Sequence, residues 1–292
     1  MREGLVSVII PNYNYAHYLR EAIDSVLAQS YLDIEIIVVD DGSKDASREV
    51  MVSYGDKIKT VFQQNQGVAA ARNNGVNAGS GEYVAFLDAD DAWMPEKVKK
   101  QVSRFEADKA LGLVHVGVIE VDENGKTLLE RLEGLEGDVS AQLLLLKREG
   151  ILGGGSGLMV PRKVFDEAGG FDTRLSTSAD WDLFYQISSR YQVGFVPELL
   201  LKYRIHNANM HSNVRVMEQD MTTAFDKIFQ GASTPLSRES YGGLYKTLAG
   251  SYFRAGDYGG FVRSAVKSVG YRPGNLGYFL KFPIRRIKPE LR

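Results

Sequence analysis

Four short runs rich in β-branched and aromatic residues, Leu5–Ile10, Ile34–Val39, Ile58–Phe62 and Tyr83–Leu87, alternate with helical patterns at about 17–30, 44–54, 67–78 and 95–107. Strands joined through helices need crossover connections, so neighbours lie parallel and helices cover both faces of the sheet. The expected fold is therefore α/β, with a mostly parallel central sheet. Open sheets of this kind bind ligands at the carboxyl ends of their strands. Three of these ends are polar: Pro11-Asn12-Tyr13-Asn14, Asp40-Asp41-Gly42-Ser43 and Asp88-Ala89-Asp90-Asp91.

Past the fourth strand the pattern changes. Two strands between Leu113 and Leu129 flank Asp122-Glu123-Asn124-Gly125, a hairpin signal. A glycine-rich loop, Gly150–Gly157, leads to a short strand, and Pro161 then opens a helix. A further helix at 179–191 and strands near 193–196 and 199–205 complete a first domain, expected to span 1–211. Residues 212–292 read as helices only, with Tyr241–Ala255 and Tyr258–Val269 paired across a Gly256-Asp257 turn.

The chain has 292 residues, 44% of them hydrophobic, enough for a full core. Its formal net charge of -2 gives no field that would draw nucleic acid. With no cysteine, disulfides and thiolate metal sites are excluded. The apolar run Leu5–Ile10 is too short for a signal peptide. No stretch reaches the length of a membrane span. A cytoplasmic protein is the expectation. The stretch Gly277–Lys288 mixes basic and large apolar residues, as a terminal helix docked on the core or a segment lying on the inner face of an anionic membrane would.

Three carboxylates within four positions at 88–91 repel one another unless a cation lies between them. Oxygen donors of this kind suit Mg²⁺ or Mn²⁺, which also bind substrate phosphates. The alternative is a solvated acidic turn that caps the helix near Pro95. Tyr13 could stack on a flat base, and Asp40 could accept a hydrogen bond from a ring N–H or a ribose hydroxyl. Arg72 lies one turn into a helix whose N-terminus is a natural anion site. No G-x-G-x-x-G follows the first strand, which argues against a dinucleotide fold. Gly125-Lys126-Thr127 imitates the end of a P-loop, but position 120 is Glu120, and the segment reads as a turn. Trp93 and Trp181 flank the acidic clusters, where aromatic faces could meet sugar rings.

Taken in order, the segments Leu5–Asn14, Val38–Ser43, Gly67–Gly75, Phe86–Asp91, Gly169–Asp172, Ala179–Leu183 and Tyr203–His206 resemble the family 2 glycosyltransferases, inverting enzymes of the GT-A fold. The resemblance covers about residues 5–211. It implies that Pro11, Tyr13, Asp40 and Arg72 hold the nucleotide, usually UDP, with Asp88 near the ribose. Asp90 would bind the metal, Mn²⁺ or Mg²⁺, and His206 would reach the metal or the diphosphate. Asp180 matches the catalytic base. The chain carries Ala179 where the family usually has Glu, and Asp182 is a further carboxylate nearby. The implied reaction moves a sugar from a nucleotide-sugar, most often a UDP-sugar, to a hydroxyl of a glycan or lipid-linked acceptor. The alternative is a catalytically silent sugar-nucleotide-binding or scaffold protein of the same fold, which Ala179 favours. A nucleotidyltransferase would carry a Gly-rich, basic loop after the first strand, and here that loop is Pro-Asn-Tyr-Asn.

Overall fold

In a computed structural model of the chain, strand β1 (Arg2–Asn12) leads through helix α1 (Ala16–Leu27) to β2 (Ile34–Asp40). Helix α2 (Ser47–Val52), β3 (Lys59–Phe62), α3 (Val68–Ala78) and β4 (Gly81–Phe86) follow. β1 pairs in parallel with both β2 and β4, and β2 pairs in parallel with β3. The alternating pattern thus produces the crossover sheet that its connections require. Structure is described for residues 1–146, 150–206 and 213–282.

After β4 come β5 (Ala92–Trp93), α4 (Lys97–Ala107), β6 (Leu111–Val121) and β7 (Thr127–Arg131). Helices α5 (Ser140–Leu145) and α6 (Gly154–Gly157) precede β8 (Met159–Pro161), α7 (Arg162–Ala168), α8 (Ala179–Ser188) and β9 (Gln192–Arg204). The sheet runs β3-β2-β1-β4-β8-β6-β9-β5, with β7 on β6. Beyond β4 it is mixed: β8 is antiparallel to β4 and β6, while β6 and β9 run parallel. The β6–β7 hairpin turns at Asp122–Lys126, where Gly125 has φ +82°. The two strands expected near 193–196 and 199–205 are one, β9, because an irregularity opposite Val116 and Gly117 lets it continue past Pro197.

The chain divides into two units, one built from residues 1–140 and 150–206 and the other from 141–146 and 213–282. The boundary expected at 211 lies outside the described residues, as does the part of the basic C-terminal stretch from 283 onward. In the second unit, α9 (Val214–Phe229), α10 (Pro235–Arg254), α11 (Tyr258–Tyr271) and α12 (Leu276–Leu280) have local stop and start signals. Thr234 and Ser237 form a capping box on α10, and the Asp257 carboxylate accepts from Gly260 N at 2.7 Å at the start of α11. Tyr241 and Tyr245 stack on Tyr271, and Tyr252 packs on Gly260, so α10 and α11 run antiparallel. Among the described residues no helix is long and apolar enough to cross a membrane.

The core of the first unit carries one histidine whose surroundings have a measurable consequence. His115, on β6, is fully buried against Phe195. Its Nδ1 accepts from Leu152 N at 3.1 Å, so Nε2 is the protonated nitrogen and donates to Leu135 O at 2.9 Å. Burial drives its pKa from 6.5 down to about 4. A histidine depressed in the folded state contributes nothing adverse above pH 6.5 and costs stability as pH falls toward 4. At 1.36 kcal/mol per pH unit the loss amounts to about 3 kcal/mol. His115→Gln keeps a donor and an acceptor without the charge. Urea unfolding from pH 7 to 4 is expected to show a shallower decline for this variant than for the wild type. Parallel declines would mean that His115 does not carry the effect.

Candidate active site

The register of the sheet brings three polar strand ends level. Asn12 at the end of β1 stands opposite Asp40 at the end of β2, and Leu87 N donates to Ile9 O at 3.0 Å to align β4. Asn12 Nδ2 donates to Asp40 Oδ1 and Ser43 Oγ, both at 3.1 Å, and Ser43 N donates to Asp40 Oδ2 at 3.3 Å. Asp40 is buried, with both oxygens engaged, and Pro11 is buried within β1 opposite Val39. Tyr13 stands at the rim, 43% exposed. Asp41 has a separate task. Its carboxylate accepts from Gln66 N and Gly67 N at 2.8 and 2.9 Å and so fastens the entry of α3, the helix that carries Arg72.

The acidic segment does not continue β4 as an extended chain. β4 ends at Phe86, and Asp91 N donates to Asp88 O at 3.0 Å, closing a tight turn. The turn gives each carboxylate a different neighbour. Asp88 Oδ1 accepts from Arg72 Nη2 at 2.6 Å. Asp90 Oδ2 lies 2.9 Å from His206 Nε2. Asp91 points inward: its Oδ2 accepts from Ser156 Oγ at 2.6 Å and its Oδ1 from Arg204 N at 2.8 Å. It does not cap α4, which begins at Lys97 after Glu96. Burial, then the charge of Asp88, pushes the Asp90 carboxyl above its usual range, even though His206 pulls the other way. Burial, then Asp90 and Asp88, raises Asp91 still more clearly. Negative charge is thus concentrated in a dry place, where a cation gains most.

The glycine-rich segment, read from sequence as a loop, contains a helical turn, α6. His115 holds its entry through Leu152 N. Ser156 is fully buried and works in three directions, donating to Asp91, accepting from Asp88 N at 3.0 Å, and accepting from Trp93 Nε1 at 2.9 Å through its carbonyl. At two glycines an added side chain would crowd a charged group. A Cβ on Gly155 would lie 2.7 Å from Arg72 Nη2, and one on Gly154 would lie 2.9 Å from Asp180 Oδ2. α6 therefore offers bare backbone to both the arginine and the aspartate.

Arg72 is buried between carboxylates. Burial alone would lower its pKa, but Asp88 and Asp180 outweigh it and hold the guanidinium above its usual value. Its Nε is buried with no hydrogen-bond partner, a donor in want of an acceptor. The guanidinium also lies 5.1 Å from the centre of the Phe171 ring. Asn73 clamps that loop by accepting from Phe171 N at 3.0 Å and donating to Phe171 O at 2.8 Å. Asp180 is half-buried in the first turn of α8, and its Oδ1 accepts from Trp181 N at 2.8 Å. Ala179 and Asp182 are buried, each about 1% exposed. Arg72, Asp88, Asp90, Asp180 and His206 thus gather at one sheet edge, while Pro11 and Asp40 are buried at the ends of β1 and β2.

The aromatic residues behave differently from one another. Trp93 is buried with Lys97 Nζ 3.8 Å from its ring centre, so it belongs to the core and offers no face to a sugar. Trp181 stacks on Tyr185. Tyr15 and Tyr18 both lie against the His206 ring, at 5.7 Å between centroids. Burial, then Asp90 and Asp88, pushes the Tyr15 hydroxyl up to about 12. Tyr203 is raised further by burial and by the charges of Asp91, Asp88, Asp180 and Asp90. Arg204 locks the turn from the far side. Its Nε donates to Asp90 O at 2.8 Å and its Nη2 to Glu21 Oε2 at 2.6 Å.

Sequence reading missed Ser156, Arg204, Tyr203 and the inward role of Asp91. Ser156 and Arg204 meet Asp91 across 65 and 113 residues, a separation that no local pattern announces. Among the described residues no group of three or more His, Cys, Asp or Glu is arranged to hold an ion unaided. Asp90 and His206 supply one oxygen and one nitrogen donor in a pocket of excess negative charge. That set fits a divalent cation that takes its remaining ligands from water and substrate phosphates.

Solved structures share the fold. TarS of S. aureus in complex with UDP-GlcNAc superposes with a TM-score of 0.62 at 17% identity, over 92% of each chain. The mannosyltransferase PcManGT of Pyrobaculum calidifontis, in complex with GDP-Man and Mn²⁺, gives 0.61 at 19% identity, over 97% of this chain and 81% of its own. The architecture is that of GT-A glycosyltransferases. The sequence model described as Glycosyl transferase family 2 matches residues 7–169, more than half of the chain. An uncharacterised glycosyltransferase of Nostoc is 41% identical over 70% of this chain and 66% of its own length. One of Methanocaldococcus jannaschii is 31% identical over 76% and 77%. The chain belongs to glycosyl transferase family 2. It spans about two-thirds of the length of some of the first curated relatives it matches and about one-third of others.

Proposed function

We propose that the chain transfers a sugar, with inversion at the anomeric carbon, from a nucleoside-diphosphate sugar to a hydroxyl of a glycan or lipid-linked acceptor. A UDP-sugar is the proposed donor, and peripheral contact with an anionic membrane through the basic C-terminal segment belongs to the same reading. The observation that carries it is the meeting of Arg72, Asp88, Asp90, His206 and Asp180 at one sheet edge.

Each residue has a task its surroundings support. Tyr13, exposed at the rim, stacks on the base, and Asp40 with Asn12 and Ser43 shapes the floor below it. Arg72 offers its unpartnered Nε to a diphosphate oxygen. Mn²⁺ or Mg²⁺ held by Asp90 and His206 would neutralise charge growing on the departing diphosphate. Asp180 takes the proton of the acceptor hydroxyl as its oxygen attacks. The bare backbone of Gly154 keeps room for that carboxylate.

Thermal melting with UDP, GDP and dTDP, each with and without Mn²⁺, tests the donor site. Ligand at about 100 times its Kd stabilises by about 2.7 kcal/mol. UDP with Mn²⁺ should raise the melting temperature by several degrees, and no response to any nucleotide would overturn the reading. Ala179 supports a second reading, a silent sugar-nucleotide-binding protein, since it removes a carboxylate beside Asp180. Binding of UDP-sugar with no release of UDP to water or acceptor would favour that alternative.

A further inference from the structure

The second unit exposes an unusual helix face. Tyr258, Val262 and Val266 recur every four residues along α11 and are 64%, 57% and 68% exposed. This spacing places them in one row on the outer side of the helix. On the inner side, Gly260, Ser264 and Ser268 are buried, so the row is the face that α10 leaves uncovered. α12 adds two more exposed apolar residues, Leu276 at 51% and Leu280 at 70%. α11 contains no acidic residue.

Charge chooses among the surfaces that could cover such a row. Residues 258–292 hold eight Lys or Arg and the single acid Glu290, a net of +7. The whole chain is -2, which leaves -9 for residues 1–257. Arg263 and Lys267 are paired with Glu218, at 3.2 and 3.3 Å, and Arg272 with Glu239 at 2.9 Å; the other five basic residues, Lys281 to Arg292, follow in the sequence. A second copy of this segment would set +7 against +7. Nucleic acid would answer the charge but leave the valines in water. An anionic lipid surface answers both.

We propose that the outer face of α11 is a membrane-seating surface, with Val262 and Val266 entering the acyl boundary and Tyr258 at headgroup level. This deepens the peripheral membrane contact of the reading above and rests on it, while being independent of the donor and metal assignments. Basic residues beyond α11 contribute attraction of about 1 kcal/mol each near the surface. The apolar row supplies a component that salt does not remove.

The test is flotation of the full chain with phosphatidylcholine vesicles, with and without phosphatidylglycerol. The wild type should bind the anionic vesicles and keep a salt-resistant fraction. Val262→Asp with Val266→Asp should weaken partitioning by roughly tenfold or more, because charge replaces inserted apolar surface. The milder pair Val262→Ser and Val266→Ser should weaken it by a few-fold with helix content unchanged, which separates seating from folding. UDP-dependent melting should be the same in all variants, so a failed donor site and a failed membrane face give different results. Equal binding by wild type and both variants would assign the contact to the basic segment alone. No binding to anionic vesicles, or self-association that the variants abolish, would overturn the proposal.

Discussion

Asp180→Asn is expected to reduce sugar transfer by about 10²–10⁴-fold, the range for loss of a positioned general base. Donor affinity should change little. The replacement has the same shape, and its Oδ1 can still accept from Trp181 N as Asp180 does at 2.8 Å. The ability to take a proton disappears, together with the negative charge. Asp180 also raises the pKa of Arg72, so the variant leaves Arg72 with Asp88 as its remaining carboxylate neighbour. The measurement is UDP release with acceptor present, beside calorimetry of UDP binding. A loss of rate at constant affinity is the expected pair of results. A variant that turns over at the wild-type rate would place the base elsewhere.

Asp90→Ala should act on binding first. The wild type should hold UDP more tightly with Mn²⁺ than without, and the variant should show no difference between the two. Losing even an outer partner of a metal ligand costs about 10–100-fold in metal affinity, so removing a ligand should cost at least that. The free protein should keep its stability. Asp90 is a carboxylate raised by burial and by Asp88, so its charge opposes folding and its removal relieves a strain that ligand binding otherwise relieves. Equal metal-dependent UDP affinity in the two proteins would contradict the role.

The two variants also mark what a sequence can reveal. The alternation of short apolar runs with helical patterns was enough for the parallel half of the sheet, because crossover strands leave few other solutions. The polar strand ends at Asn12, Asp40 and Asp88 were legible for the same reason. The geometry of the acidic cluster was not. Extended alternation would put Asp88 and Asp90 on one side, whereas the chain turns there and pairs them with Arg72 and His206 instead. That turn exists because Ser156 and Arg204 hold Asp91 from two distant segments. The helical turn of α6 was hidden because glycine carries no helical signal of its own. β9 read as two strands because Pro197 interrupts its pattern, a break the observed irregularity absorbs.

Asp91 has a consequence that reaches past catalysis. It anchors the acidic turn to both α6 and β9, away from the exposed rim where Tyr13 stands. On the proposed reading, substitutions around Tyr13 would alter which base is preferred while the grip beneath stays as it was. A scaffold divided in this way lets donor choice diversify among descendants without each new preference requiring a new machine.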